Sequence, residues 1–314
     1  MQTYLVTGGA GFIGSNLVEA LVKSGAWVRV LDNLSTGRRA NLAAVWDSIE
    51  WHEADLRDAA AVRRAVTGVD VVLHQAAMAS VPRSVAEPLA ANEVNVTGTL
   101  HVLLAARDAG VRRVVIASSS SVYGNSPTLP KVETMAVEPL SPYAVGKLAA
   151  ERYCQAFTEV YGLPTIGLRY FNVFGPRQDP NSEYAAVIPR FLTAMLRGEA
   201  PTIYGDGQQS RDFTYVDDVV QANLLAAAAP AAVSGYYNVA CGSRISLLDL
   251  VETLNTCLGT HLTARHEPPR VGDVRDSQAD IGKIQAALGF APQVSFADGL
   301  ARTVAYFRDP PVAA

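Results

Sequence analysis

Short aliphatic runs alternate with segments of helical periodicity from the first residues onward. TYLVT (3–7), WVRVLD (27–32), DVVLHQ (70–75), RVVIAS (113–118) and PTIGLRYF (164–171) read as strands. Helices are predicted around 12–24, over NVTGTLHVLLAARDAG (95–110) and from near Pro142. The second of these stops at Gly110, a C-terminal cap signal that precedes the next strand. Strand–helix alternation of this kind predicts an α/β fold, a doubly wound parallel sheet with crossover helices on both faces.

After residue 171 the rhythm changes. NVFGPRQDPNSEYAAVIPRF is rich in Pro, Gly and Asn, which predicts irregular connections and a smaller C-terminal lobe facing a substrate. DFTYVDDVVQANLLAAAA (212–229) predicts a short strand and an amphipathic helix returning to the sheet, with the alanines of 226–232 as a helix end. The expected division is a nucleotide-binding body of 1–171 plus about 212–240, and a lobe of 172–211 plus about 241–308. DPPVAA (309–314) reads as a frayed tail, and no internal repeat is visible.

Composition narrows the class. With 314 residues, 49% hydrophobic and 18% charged, the chain can bury a substantial core. A formal net charge of -4 without a dense Lys/Arg block argues against a nucleic-acid partner. Cys154, Cys241 and Cys257 are widely spaced and form no CxxC pair, as expected of buried, reduced thiols in a cytoplasmic protein. MQTYLVTGGAG carries no basic segment with a cleavable apolar stretch, and no apolar run reaches membrane-span length, so no membrane association is expected.

Two stretches then suggest chemistry. TGGAGFIG follows the first strand, with glycines at 8, 11 and 14. Such glycines permit a tight turn, close backbone approach to a pyrophosphate and close helix packing, with the helix N-terminus facing the phosphates. Asp32 ends the second strand, where its carboxylate can accept from ribose hydroxyls and repel a 2′-phosphate, so NAD is favoured over NADP; Arg38 and Arg39 close behind weigh the other way. Asp55 and Leu56, after a third short strand, are candidates to hold an adenine, and a helix N-cap at Asp55 is the competing reading. The small QAA (75–77) after the fourth strand leaves room for a cofactor across the strand ends: Gln75, Ala76 and Ala77.

The second stretch is SPYAVGK (141–147), with Ser141 as N-cap and Pro142 at the first helical position, so that Tyr143 and Lys147 share one helix face. A phenol of ordinary pKa near ~10 is a poor base at neutral pH, but a neighbouring ammonium and a cationic nicotinamide both favour its anion. Upstream, ASSSSVYG (117–124) places four serines at a strand end, at a spacing that suits both stretches facing one crevice.

Taken together, TGGAGFIG, Asp32, ASSSSVYG, SPYAVGK and RYFNVFG resemble the extended short-chain dehydrogenase/reductase family, specifically its nucleotide-sugar epimerases, from Thr7 to about Asp280. The resemblance implies a bound NAD, with contacts from Gly8, Gly11, Phe12, Ile13, Gly14, Asp32, Asn33, Ser35, Gly37, Asp55, Leu56, Gln75, Ala76, Ala77, Asn95, Ser118, Tyr143, Lys147 and Tyr170. It implies that Ser119, four residues before Tyr123, is the catalytic serine, that Tyr143 takes the proton of a sugar 4-hydroxyl, and that Lys147 holds the ribose and lowers the tyrosine pKa. Relatives that dehydrate carry an Asp-Glu pair just after the serine; Ser120 and Ser121 stand there here, which leaves reversible oxidation through a transient 4-keto sugar.

The same resemblance implies substrate contacts for a UDP-sugar. Asn172 touches the sugar or its diphosphate, Ala186, Val187 and the following Ile-Pro-Arg wrap the uridine, and Arg211, Arg270 and Asp273 meet diphosphate and ribose. Ser120, Arg177 and Gln178 face the sugar. Ser277, four beyond Asp273, and Ala79 opposite it are small where a bulky tyrosine would exclude an N-acetyl group, so UDP-N-acetylglucosamine and its galacto epimer are the expected substrates, with UDP-glucose also admitted. A UDP-glucuronate or N-acetylhexosaminuronate 4-epimerase is the runner-up, with Arg177 and the serine hydroxyls receiving a carboxylate. A reductase with exchangeable cofactor and a catalytically silent dinucleotide sensor are the alternatives of other classes; the sensor has no use for Tyr143 and Lys147. Homodimerisation through helices around 97–109 and 143–160 is also implied.

Overall fold

The computed structural model describes residues 2–180, 186–269 and 275–309. In the first half, strands and helices follow as β1 (Thr3–Thr7), α1 (Phe12–Lys23), β2 (Trp27–Asp32), β3 (Ile49–Glu53), α2 (Ala59–Val66), β4 (Val71–His74), α3 (Val81–Ala86), α4 (Pro88–Asn92), α5 (Gly98–Asp108), β5 (Arg113–Ser119), α6 (Pro142–Tyr161) and β6 (Thr165–Tyr170). The second half adds β7 (Val173–Phe174), α7 (Val187–Leu196), β8 (Thr202–Tyr204), β9 (Ser210–Arg211), β10 (Thr214–Tyr215), α8 (Val216–Ala228), β11 (Gly235–Val239), β12 (Ile245–Ser246), α9 (Leu247–Leu258), β13 (Arg265–Glu267), α10 (Gly282–Leu288) and α11 (Phe296–Arg308).

Seven strands form one sheet in the order β11-β6-β5-β4-β1-β2-β3, every neighbouring pair parallel. The strands have apolar side chains on both faces because both faces are covered. Val114 and Ile116 of β5 pack with Val62, Leu103, Ala150 and Phe157 of α2, α5 and α6. Val115, pointing the other way, packs with Leu17, Val18, Val219 and Ala222 of α1 and α8. Strand order reverses between β1 and β4, and the crevice at their carboxyl ends is where such sheets bind ligands.

The predicted return of the chain is present: α8 lies on the sheet and β11 extends it beside β6, while the alanine run ends α8 at Ala228. The lobe has its own core, in which Phe174, Phe191, Leu192, Ile203, Phe213, Leu250 and Leu300 are buried together. Ile284 of α10 and Phe290 just after it are buried in the core on the α1 and α8 side of the sheet, within the stretch assigned to the lobe. The helix expected over 95–110 differs at its start, where Glu93–Thr97 form a wider π turn ahead of α5.

Candidate active site

The β1–α1 turn is built for an anion. Gly8 has φ +68, and a Cβ there would lie 2.7 Å from the backbone of Ala76. A Cβ on Gly14 would stand 2.1 Å from the Gly8 carbonyl oxygen, so α1 can approach the turn only without a side chain. Gly11 caps α1 without a side-chain hydrogen bond, and its first turn has no acidic residue, which leaves the N–H groups at Phe12 and Ile13 and the helix dipole for a pyrophosphate. Asp32 is buried at the end of β2, where its carboxylate accepts from Ala10 N at 2.9 Å and Leu34 N at 2.8 Å. Burial raises its pKa and these two donors oppose the rise. Gly37 closes against it: a Cβ there would lie 2.9 Å from both carboxylate oxygens. These residues fit a dinucleotide.

The neighbouring contacts sort the remaining cofactor residues. Asn33 Nδ2 donates to Asp55 at 2.8 Å and its Oδ1 accepts from Ser35 N at 3.1 Å. Asp55 is gripped by Arg57, whose guanidinium holds the carboxyl well below the usual range. Asp55 is not a helix cap; that role falls to Asp58, which accepts from Ala60 and Ala61 N. Leu56 is buried against Gly98. Asn95 holds both the N–H and the carbonyl of Met78, fixing the segment that carries Gln75, Ala76 and Ala77. The Tyr170 hydroxyl donates to Gln75 Oε1 and accepts from Asn223 Nδ2, so its polar end is already engaged within the chain.

His74 went unnoticed in the sequence. It is buried at the end of β4, with Nδ1 2.7 Å from Thr7 Oγ1 and Nε2 3.0 Å from Thr99 Oγ1. Thr99 donates its own hydroxyl to Asn95 O, so it accepts from His74 Nε2–H, and Nδ1 accepts from Thr7. Burial and the Lys147 charge push its pKa down to about 3, so the ring is a neutral brace under the crevice.

Ser119, Tyr143 and Lys147 converge at the carboxyl end of β5. Ser141 caps α6 by accepting from Ala144 N, Pro142 occupies the first turn, and Ser84 Oγ of α3 accepts from Tyr143 N at 3.1 Å. The Ser119 hydroxyl lies close enough to the Tyr143 phenol to favour its anion. Burial raises the phenol's pKa and this hydroxyl lowers it. Lys147 Nζ donates to Ala117 O at 2.8 Å and lies 5.8 Å from the centre of the Tyr143 ring. Burial lowers the lysine pKa to about 8. Ser121 N donates to Ser119 Oγ at 3.1 Å, and Ser121 Oγ is buried with no partner among the described residues. Ser118, expected beside the nicotinamide, instead gives its hydroxyl to Glu151 at 2.5 Å because the pleat turns it towards α6 with Val114 and Ile116.

A cavity of about 260 Å³ opens in the lobe, lined by Asn172, Gln178, Ala186, Val187 and Arg211 as expected, and by Tyr204 and Gln209, which sequence reasoning missed. Its size suits a nucleoside better than a whole nucleotide-sugar. Gln178 Oε1 and Gln209 Oε1 are buried without a partner among the described residues, which leaves two acceptors for ligand donors. Asn172, at φ +34, donates Nδ2 to Asp212 O at 3.0 Å and to Ser277 Oγ at 3.4 Å. Arg211 donates to the Ser210 and Arg275 carbonyls. Ala79 is exposed just ahead of α3. Arg270 and Asp273 lie outside the described residues.

Arg177 is corrected. It does not line this cavity; its guanidinium pairs with Glu19 of α1. Asn16 Nδ2 of the same helix donates to Pro176 O, and Arg38 pairs with Asp179 at 3.0 Å, so the GPRQD loop is docked on the body and φ +70 at Arg177 turns it that way.

Residues 4–240 match the family described as NAD dependent epimerase/dehydratase. The UDP-glucose 4-epimerase of Mycolicibacterium smegmatis is 43% identical, covering 97% of this chain and 98% of that protein. Among solved structures, the UDP-N-acetylglucosamine 4-epimerase from Methanobrevibacter ruminantium, in complex with UDP-N-acetylmuramic acid, is 42% identical with a TM-score of 0.94 and covers 98% of each chain. The Thermus thermophilus UDP-glucose 4-epimerase in complex with NAD is 39% identical with a TM-score of 0.89, covering 98% of this chain and all of that one.

Proposed function

We propose that this chain, which belongs to the NAD-dependent epimerase/dehydratase family, is a UDP-hexose 4-epimerase whose sugar site admits an N-acetyl group. It is an enzyme with NAD as cofactor, and bound NAD supplies a reversible hydride acceptor for one ring carbon. The chain's own residues supply the proton chemistry. Tyr143 accepts the proton of the 4-hydroxyl and returns it, Ser119 holds the same oxygen, and the Lys147 ammonium together with the cofactor charge favours the phenolate against the burial that opposes it. Neither Ser120 nor Ser121 can act as acid or base, which disfavours dehydration.

The observation that carries the substrate choice is the Ser277 hydroxyl at 3.4 Å from Asn172 Nδ2, a small side chain beside the residue that meets the sugar. Pairing of Arg177 with Glu19, away from the lobe cavity, weighs against the uronate reading. Protein purified without added cofactor is expected to carry NAD and to interconvert UDP-N-acetylglucosamine with UDP-N-acetylgalactosamine, and UDP-glucose with UDP-galactose, followed by chromatography. Turnover of UDP-glucuronate alone would overturn the substrate choice, and failure to epimerise any of them would overturn the function.

Two copies are proposed to pair through α3, α4 and α6, where Val85, Leu89 and Val145 are exposed, Leu89 to 80%. The helix over 97–109 is part of the same proposal through its outer face, since Val102, Leu103, Ala105 and Ala106 of α5 form its inner face, buried within the chain.

A further inference from the structure

We propose that Glu151 and Ser118 form a positioning pair that sets the reach of the Ser119 hydroxyl to Tyr143, and so tunes proton transfer without touching sugar or cofactor. The inference rests on the reading of Ser119, Tyr143 and Lys147 as the proton-handling group.

Three residues spaced by four along α6 hold three consecutive residues of β5. Tyr143 meets Ser119, Lys147 Nζ donates to Ala117 O at 2.8 Å, and Glu151 Oε1 accepts from Ser118 Oγ at 2.5 Å. Ser118 is the last β5 residue whose side chain faces α6, so its bond to Glu151 fixes the strand immediately before Ser119 leaves it. Glu151 is itself fully buried and clamped by Arg169, with Nε to Oε1 at 2.8 Å and Nη2 to Oε2 at 2.7 Å. Arg169 also donates to Tyr123 Oη at 2.9 Å, and the Tyr123 hydroxyl donates to Asn238 Oδ1 at 2.7 Å. Asn238 Nδ2 then binds the carbonyls of Lys131 and Asp280. A buried ion pair on its own is weak support for stability. This one is fully hydrogen-bonded, and it connects the strand end that carries Ser119 to the segment that carries Ser277.

Ser118→Ala removes one hydroxyl and leaves the Glu151 carboxylate bound by Arg169, so the variant folds. The expected result is a kcat for UDP-glucose epimerisation lowered about ten- to a hundredfold with KM and NAD content near wild type. The nearby Ser119 hydroxyl favours the Tyr143 anion, so displacing it raises the phenol's pKa and moves the acid limb of the pH–rate profile to higher pH. Ser118→Thr, which keeps the hydroxyl, restores much of the rate. A purely structural role would lower thermal stability while leaving kcat and the acid limb in place, and that outcome would overturn the proposal. Loss of activity in Tyr143→Phe tests the underlying reading separately: a dead Tyr143→Phe beside a wild-type Ser118→Ala sinks this inference alone.

Discussion

Ser277 Oγ and Asn172 Nδ2 stand 3.4 Å apart, joining the segment ahead of α10 to the residue two beyond the end of β6. Ser277 N also donates to Ser210 O, which fixes the backbone at 277, and a larger side chain there is expected to extend into the proposed sugar site. Ser277→Tyr is expected to lower kcat/KM for UDP-N-acetylglucosamine by about a hundredfold or more while UDP-glucose changes little. Equal losses on both sugars would place the wall elsewhere.

Lys147 predicts a trade between stability and activity. Its pKa falls from 10.5 to about 8 because burial penalises the ammonium. The folded state therefore binds fewer protons than the unfolded one between these values, so stability rises with pH across that window, and the charged form costs roughly 3 kcal/mol below it. Lys147→Met should lose epimerase activity yet be at least as stable at pH 7, and its stability should lack the rise between pH 8 and 10 shown by wild type. Denaturant midpoints at several pH values check both. A Lys147→Met protein that is markedly less stable at pH 7 would show that the Ala117 carbonyl contact outweighs the desolvation.

The parts that sequence pattern could reach were those written in local chemistry. β5 and α6 follow from an apolar run and from Ser141-Pro142, and the cofactor cradle follows from glycine spacing. Ser118 was misplaced, although a signal existed: it continues the 114, 116 phase of β5, and Glu151 continues the 143, 147 spacing of α6. Asp55 is the cap that the sequence suggests, and only the fold shows that Asp58 aligns with the α2 N–H groups. The seven residues of α10 carry no local mark of which core they join, because Ile284 and Phe290 find their partners far away in the chain. His74 was hidden among the apolar residues of β4, which is what a neutral, fully bonded imidazole permits.

Arg177 yields a prediction opposite to its sequence reading. Because it pairs with Glu19 on α1, Arg177→Ala should leave the ratio of rates on UDP-glucuronate and UDP-glucose unchanged. It should instead cost about 1 kcal/mol of stability and speed NAD loss, as the loop it anchors lies across the start of α1. Rates on the panel of sugars and NAD retained after dialysis measure the two effects. A selective change in uronate turnover would return Arg177 to the sugar site.

Asp212 governs the lobe side of the site from beneath. Its fully buried carboxylate accepts from Cys241 N at 2.9 Å, Gly242 N at 3.1 Å and Ala279 N at 3.1 Å, while its own carbonyl accepts from Asn172. Burial raises its pKa to about 6, against the pull of these donors. Asp212→Asn keeps the shape but replaces one acceptor oxygen with an amide that donates. Gly242 N and Ala279 N both use the same oxygen, so either they or Cys241 N must lose a partner, at a cost of roughly 1–3 kcal/mol. The 277–279 segment then loses its hold through Ala279 N, and with it the placement of Ser277 beside Asn172. Expected for Asp212→Asn is a several-fold rise in KM for the UDP-sugar with NAD content unchanged, since nothing in the cradle of α1 touches Asp212. An unchanged KM with a lower melting temperature would show that Asp212 braces the fold without setting the sugar site.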